Sequence, residues 1–160
     1  MFDSRVFIRA LGVVVVLVAA GAAGLVATPR SAQAEAPKDR IVVAVTGLRN
    51  SSGSVRCSLY DDPEGFPTEQ KHVVAKTRAV PSSASATCTF SAPAKGKSYA
   101  VVIHHDENDD GKFQRNAIGL PLEGYGFSNN VRPVLSPPSF AACQFSFKGG
   151  ETSLGITARY

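Results

Sequence analysis

An acidic run near the middle of the chain has the residue spacing of a cation-binding loop. Asp106, Asn108 and Asp110 occupy alternate positions, and Gly111 follows directly. Calcium-binding loops place side-chain oxygens at positions one, three and five and a glycine at position six, where the chain turns sharply. We therefore predict a calcium site that begins at Asp106.

The remaining ligands of such a loop are only partly present. The Lys112 carbonyl would coordinate the ion at position seven, and Gln114 would do so at position nine, directly or through a water molecule. Position twelve is Ala117, which has no carboxylate, so we expect Glu123 to fold back and replace it. Because only two or three formal negative charges would bind the ion, the expected dissociation constant is weak, on the order of 10⁻⁴ to 10⁻³ M.

Two other interpretations of these residues stay open. Asp-Gly is also a favoured two-residue hairpin turn, and Asp and Asn side chains cap turns without any metal. Alternatively, His104 or His105 would form a transition-metal centre with Asp106 and Glu123. The two histidines are neighbours on a predicted strand, so they point to opposite faces and do not readily bind one ion. We expect one to be buried and hydrogen-bonded and the other to contact the acidic run.

The acidic run opens a segment, residues 106–130, with little strand or helix periodicity. A connection that long within a compact domain is normally functional or is held in place by a further interaction. The segment contains five carboxylates and two basic side chains, a local charge of minus three in a chain whose formal net charge is +4. A bound cation would relieve this repulsion.

The rest of the chain has the pattern of an all-β sandwich or barrel, with short β-rich runs separated by turn residues about every ten positions. Seven antiparallel strands are predicted, at residues 41–48, 54–60, 73–80, 86–90, 98–105, 142–147 and 153–160. Turn-forming residues at 50–53 and 149–150 predict hairpins between the first two and the last two strands. Residues 99–103 are apolar on both strand faces, which predicts a central strand covered on both sides.

The three cysteines of the chain allow one disulfide. Alternation in the second and fourth predicted strands places Cys57 and Cys88 on inward faces. We predict a disulfide between them, although Cys143 also points inward and three thiols allow three pairings. The remaining cysteine is expected to be a buried small hydrophobic residue and not a nucleophile.

The first 34 residues have the composition of a secretory signal peptide. Basic residues precede a long apolar run, and Ala32-Gln33-Ala34 supplies a small-x-small cleavage pattern. An uncleaved membrane anchor is the alternative. Cleavage would leave a disordered lead-in at 35–40, a single domain at 41–160 and no stable membrane span. The protein would then be periplasmic or extracellular, where thiols tend to pair.

The charge balance does not favour a nucleic-acid partner. Loss of the first 34 residues would remove three arginines and one aspartate, which lowers the formal net charge from +4 to +2. Clustered Lys and Arg residues are the electrostatic mark of a nucleic-acid surface, and the sequence has no such cluster. Ser128 also lacks the second glycine of the nucleophile elbow found in hydrolases.

Several blocks of sequence resemble one bacterial family. The central blocks are His105-Asp106-Glu107-Asn108, Gly111-Lys112, Gly119-Leu120-Pro121 and Glu123-Gly124-Tyr125-Gly126-Phe127-Ser128-Asn129. With the strand Gly53 to Tyr60 and the block Pro138-Ser139-Phe140, they resemble the exported family named domain of unknown function 2141. The resemblance implies a secreted or periplasmic sandwich of the immunoglobulin-like or transthyretin-like kind. It implies no catalytic residue, and Gln114 stands where many members have an acidic residue, which leaves any metal shell less complete.

The sequence therefore predicts an exported, non-enzymatic β-sandwich whose calcium-organised loop forms a binding or interaction surface for an envelope or extracellular ligand. A metal-assisted hydrolase that uses His104 or His105 with Asp106 and Glu123 is the first alternative. A purely structural envelope module is the second.

Overall fold

The computed structural model describes residues 39–134 and 136–160. The predicted signal peptide and most of the predicted lead-in lie outside these ranges. The described residues form eight strands: β1 (Arg40–Thr46), β2 (Ser54–Tyr60), β3 (Ala75–Ala79), β4 (Ala86–Ser91), β5 (Lys97–Asp106), β6 (Gly124–Phe127), β7 (Phe145–Phe147) and β8 (Glu151–Thr157). The helical elements are 3₁₀ turns at Gln70–His72 and Ser128–Asn130 and one short helix, α1 (Phe140–Cys143). No helix among the described residues has the length and apolar character needed to cross a membrane.

The strands form two sheets. One has three strands in the order β4-β1-β8, and the other has the order β3-β2-β5-β6, with β7 paired to the first residues of β5. Strands β1 and β8 are parallel, whereas the remaining strand pairs are antiparallel. The prediction of an all-β architecture is confirmed. The prediction of seven antiparallel strands is wrong, because an eighth strand is present and one pair is parallel.

Neither predicted hairpin forms. Strands β1 and β2 belong to different sheets, so residues 47–53 connect one sheet to the other, and residues 149–150 do the same between β7 and β8. Position 53 nevertheless requires glycine, because its φ is 62° and a Cβ there would clash with the Asp106 carbonyl oxygen. This connection therefore lies directly against the end of β5.

Strand β6 lies within residues 106–130, the segment for which no strand was predicted. Tyr125 pairs opposite His104, and Phe127 pairs opposite Val102. Two of the four residues in β6 are glycines, so side-chain alternation gave no signal for a strand. A Cβ on Gly126 would lie 2.7 Å from the Ile156 side chain, which explains why a glycine fits there. The connection between β5 and β6 is thus the β5–β6 loop, residues 107–123, which contains an isolated bridge between Arg115 and Pro121.

The two sheets share one hydrophobic core. Its main members alternate along the strands and come from both sheets: Ile41, Val43, Val45, Val55, Cys57, Leu59, Cys88, Phe90, Val101, Ile103 and Ile156. Cys57 of β2 and Cys88 of β4 form a disulfide that joins the two sheets, the pairing expected from the sequence. Burial of this apolar surface is the dominant force that holds the sheets together.

A second apolar cluster covers the outer face of the five-stranded sheet. Its buried members are Tyr60, Ala100, Phe127, Phe140 and Cys143. Strand β5 is therefore covered on both faces, as its apolar run predicted. Ser128 is also buried: its hydroxyl donates to the Cys143 carbonyl at 2.6 Å and accepts from the Val101 N–H at 2.9 Å. These bonds link α1 to β5 and give Ser128 a structural role.

Cys143 is the free cysteine, and it is fully buried in α1. The sequence placed it on a strand, but residues 140–143 form a helical turn that Ser139 caps at its N-terminus. Burial raises the pKa of the Cys143 thiol to about 11. Its thiolate fraction at pH 8 is then only about one in a thousand, which makes it a poor nucleophile.

We expect native Cys143 to resist alkylation because it is both buried and protonated. Iodoacetamide at pH 8, followed by intact-mass analysis, should add no label to the native protein within minutes. In denaturant without reductant it should add one label. Rapid labelling of the native protein would contradict the buried position, and three labels in denaturant would contradict the disulfide.

Candidate functional site

The last three residues of β5, His104, His105 and Asp106, are polar and alternate between the two faces of the sheet. His105 is fully buried on the core side. Its Nε2–H donates to the Ser52 carbonyl at 2.9 Å, so its Nδ1 accepts from the Tyr160 hydroxyl at 2.7 Å. His104 and Asp106 lie on the other, outer face of the sheet. The structure thus separates the two histidines, and His105 has both ring nitrogens engaged.

Asp106 anchors the start of the β5–β6 loop. Its side chain has no exposed surface, and it accepts hydrogen bonds from the Arg56 guanidinium, from the Asp110 N–H at 3.1 Å and from the Gly111 N–H at 2.9 Å. Burial alone raises the pKa of Asp106, but the Gly111 hydrogen bond and the Arg56 charge outweigh it, so the pKa is lowered. Asp106 is therefore an ionised carboxylate fixed by three donors.

Local hydrogen bonds connect the residues of the predicted calcium loop. The Asn108 Oδ1 accepts from the Asp110 N–H at 3.2 Å, and this is the same N–H that donates to Asp106. The Asp110 carboxylate in turn accepts from the Lys112 N–H at 2.7 Å and from the Gln114 Nε2 at 2.9 Å. Gly111, at position six of the predicted loop, has a φ of 77°, which allows the loop to fold back on its own oxygens. The oxygens at positions one and three therefore face the same N–H group, whereas the carboxylate at position five faces the amide nitrogens of Asn108 and Gln114.

Glu123 closes the other end of the loop. Only 4% of its surface is exposed. Its Oε2 lies 2.8 Å from the His104 Nε2 and accepts from the Gln114 N–H at 3.1 Å, while its Oε1 accepts from the Glu107 N–H at 3.3 Å. Glu123 folds back onto the loop, and its role as the calcium ligand that replaces position twelve stays a prediction. Its partners in the structure are two backbone amides and His104.

Arginines from other segments neutralise much of the loop charge. Arg56 pairs with Asp106 at the end of β5. In addition, Arg49 lies 2.8 Å from Glu107 and Arg78 lies 2.7 Å from Asp109. Asp110 is the loop carboxylate for which no basic side chain of the described residues lies within ion-pair distance. Sequence reasoning missed these arginines because they precede the loop by tens of residues. The strand register brings them to it.

A cluster of three ligand-type side chains lies between the loop and the sheet. One nitrogen of His104 and one carboxylate oxygen each from Asp106 and Glu123 all lie within 4.8 Å of one another. This is the set that the sequence proposed for a transition metal, without His105. Each of these groups also has a hydrogen-bond partner within the protein.

An open cleft of about 990 Å³ runs beside the loop over the outer face of the five-stranded sheet. Its floor includes Ser58 of β2 and Val102 of β5, and Phe113 and Tyr125 form part of its loop-side wall. Phe113 packs edge-on against His104, with ring centroids 5.2 Å apart, and against Tyr125 at 6.0 Å. The loop that carries the predicted metal ligands therefore also forms a wall of this cleft.

Comparison with known proteins identifies a family but no characterised relative. No curated protein and no solved structure matches the chain. A family model described as an uncharacterized protein conserved in bacteria matches residues 43–154, which is most of the chain. The resemblance drawn from the blocks around the acidic run is confirmed, and the chain belongs to the family named domain of unknown function 2141.

Proposed function

We propose that this protein is an exported, non-enzymatic binding protein whose ligand surface is the cleft beside the β5–β6 loop. The observation that carries the proposal is the way the loop is held. Two buried carboxylates, Asp106 and Glu123, accept hydrogen bonds from backbone N–H groups of loop residues Glu107, Asp110, Gly111 and Gln114. A wall fixed in this way loses little conformational entropy on binding, which is the advantage of a pre-formed site.

Export and the finer fold are parts of the same proposal. The first 34 residues supply a signal peptide, and a disulfide between Cys57 and Cys88 agrees with an oxidising periplasmic or extracellular compartment. We propose an immunoglobulin-like or transthyretin-like sandwich for the two sheets. Two features support that topology. The two sheets share one core, and the β5–β6 loop follows the end of a strand, which is where such folds carry their binding loops.

Weak calcium binding is the second component of the proposal. Asp106, Asn108 and Asp110 supply the side-chain oxygens, and the convergence of two of these oxygens on one N–H group supports a shared site. The carbonyl of Lys112 and the side chains of Gln114 and Glu123 are the further ligands in the proposal. The absence of a basic partner for Asp110 among the described residues leaves one negative charge available to the ion.

Calcium should raise the melting temperature of the protein by about 5 °C. At 20 mM calcium and a dissociation constant near 1 mM, binding contributes about 2 kcal/mol, and a domain of this size converts that into a shift of a few degrees. Differential scanning fluorimetry in calcium and in chelator measures the shift. Asp110→Asn should abolish most of it, whereas the exposed Asp62→Asn serves as the matched control and should leave it intact.

The titration also separates the alternatives. An unchanged melting curve in calcium and in chelator would contradict the calcium component and favour a purely structural envelope module. Equal shifts in wild type and Asp110→Asn would place the ion elsewhere. Increased resistance of residues 107–123 to protease in calcium would support the proposal independently of melting temperature.

A metal-assisted hydrolase is the second candidate, and the proximity of His104, Asp106 and Glu123 is the observation that favours it. Such an enzyme would retain stoichiometric zinc or another transition metal after purification in metal-free buffer. Elemental analysis measures this directly. Retained metal that is lost in Glu123→Gln would favour the hydrolase, and the absence of retained metal would eliminate it.

A further inference from the structure

We propose that the cleft binds a small organic anion with an apolar body, recognised by Lys76 and Arg115, the two basic side chains of its lining that have no carboxylate partner within residues 39–134 and 136–160. The inference rests on the proposed function, because it assigns a ligand class to the same cleft. The ligand carries one anionic group, such as a carboxylate, sulfonate or phosphate, attached to an aromatic or aliphatic portion.

The strand register orders the cleft floor from a charged end to an aromatic end. Across the outer face, Lys76 of β3 lies opposite Ser58 of β2, Ser58 lies opposite Val102 of β5, and Val102 lies opposite Phe127 of β6. Directly opposite side chains on a sheet are close neighbours, with Cβ atoms about 5 Å apart. One row of the sheet thus runs from an ammonium group through a hydroxyl to apolar groups.

The lining of the cleft is positively charged. It includes Arg56, Lys76, Arg78 and Arg115, and no carboxylate among the described residues lines it. Arg56 and Arg78 are paired with loop carboxylates. No carboxylate in the described part of the chain lies within ion-pair distance of Lys76 or Arg115. These two cations are therefore available to a ligand.

Arg115 is held in position by its own surroundings. Its guanidinium carbon lies 5.0 Å from the centroid of the Phe113 ring, and its Nη1 donates to the Gly119 carbonyl at 3.0 Å. A guanidinium fixed over an aromatic face is pre-organised, so less side-chain entropy is lost when it binds an anion. This places a fixed cation on the loop side of the cleft, and Lys76 is on the sheet side.

The aromatic wall of the cleft suits an apolar group. Tyr125 lies between Phe113 and Phe127, with ring centroids 6.0 and 5.9 Å away. Leu120 and Val134 also line the cleft, and 56% and 90% of their surfaces are exposed. Large apolar side chains exposed beside a concave surface mark binding sites. A volume of about 990 Å³ matches the size of small-molecule sites.

A pair of fluorescent dyes tests both halves of the inference. 8-Anilinonaphthalene-1-sulfonate carries one anionic group on an aromatic body, and N-phenyl-1-naphthylamine is its uncharged counterpart. We expect one sulfonate dye per chain, bound more tightly than the neutral dye. Lys76→Gln and Arg115→Gln should each weaken the sulfonate dye about fivefold, the effect of losing a partly exposed ionic contact, and leave the neutral dye unchanged.

Lys148→Gln is the matched control, since Lys148 is exposed and lies outside the cleft. It should alter neither affinity. If both dyes bind with equal affinity and neither cleft variant changes the affinity for the sulfonate dye, the anion preference is wrong while a binding surface still exists. If neither dye binds to folded protein, the anion-binding inference and the proposed ligand cleft both fail. Unchanged melting temperatures of the variants establish that they are folded.

Discussion

Replacement of Asp106 with alanine is expected to lower the free energy of unfolding by about 2–4 kcal/mol, because it removes a fully buried carboxylate that accepts hydrogen bonds from three donors. Asp106 has no exposed surface and accepts three hydrogen bonds. Its removal would leave the Arg56 guanidinium without its carboxylate and the Gly111 N–H without its acceptor, and the Asp110 N–H would keep only Asn108. Denaturant unfolding with linear extrapolation measures the loss.

Glu151→Ala is the comparison variant, because Glu151 also pairs with an arginine, Arg40, but is 45% exposed. Its cost should stay below about 1 kcal/mol, as for other exposed ion pairs. If Asp106→Ala were no more destabilising than Glu151→Ala, the anchoring role of Asp106 would be refuted.

The Asp106 contribution should also depend on pH. Its pKa is lowered in the folded protein, so the folded state favours the ionised form more than the unfolded state does. The stabilisation is then fully present above the ordinary carboxyl pKa of about 3.9 and is lost as the pH falls through the lower folded value. Unfolding free energies of wild type and Asp106→Ala should therefore converge below about pH 4. A difference that stays constant down to pH 2 would contradict the ionised, donor-saturated state.

The second large effect concerns the disulfide. The double variant Cys57→Ala/Cys88→Ala should lose about 3–4 kcal/mol, because the bridge closes a chain segment with a sequence separation of 31 and its removal enlarges the conformational freedom of the unfolded chain. Urea denaturation of this variant and of reduced wild type should give similar losses. Changes below about 1 kcal/mol in both would show that the bridge does not stabilise the fold. Cys143→Ala leaves the bridge intact and controls for the general cost of truncating a buried cysteine.

The strands that could be predicted are those with clear alternation. Residues 54–60 form β2 with the predicted bounds, since Val55, Cys57 and Leu59 alternate with more polar neighbours. Strand β6 could not be predicted, because glycines hide its alternation. The turn residues at 50–53 and 149–150 were recognised, but turn chemistry does not specify which strand becomes the partner. Burial and long-range pairing, including the parallel pair β1–β8, determine it.

The candidate site was predictable where its contacts are local. The hydrogen bonds that Asp106 accepts from the next turn of the chain follow from the Asp, Asn and Gly spacing, since such side chains cap nearby backbone groups. The arginines that balance the loop charge come from residues 49, 56 and 78, and only the folded register brings them to the loop. For the same reason the cleft, with Lys76 on one strand and Arg115 on the loop, has no counterpart in the linear sequence.

Amide hydrogen exchange of the β5–β6 loop tests most directly whether Asp106 and Glu123 hold it as a fixed wall. The N–H groups of Asp110, Gly111 and Gln114 donate to these two carboxylates. In wild type they should exchange at least about a hundredfold more slowly than in an unstructured chain, and Asp106→Ala should remove the protection at Asp110 and Gly111. Exchange of all three amides at unstructured-chain rates in wild type, with or without calcium, would contradict the fixed loop and the binding site built on it.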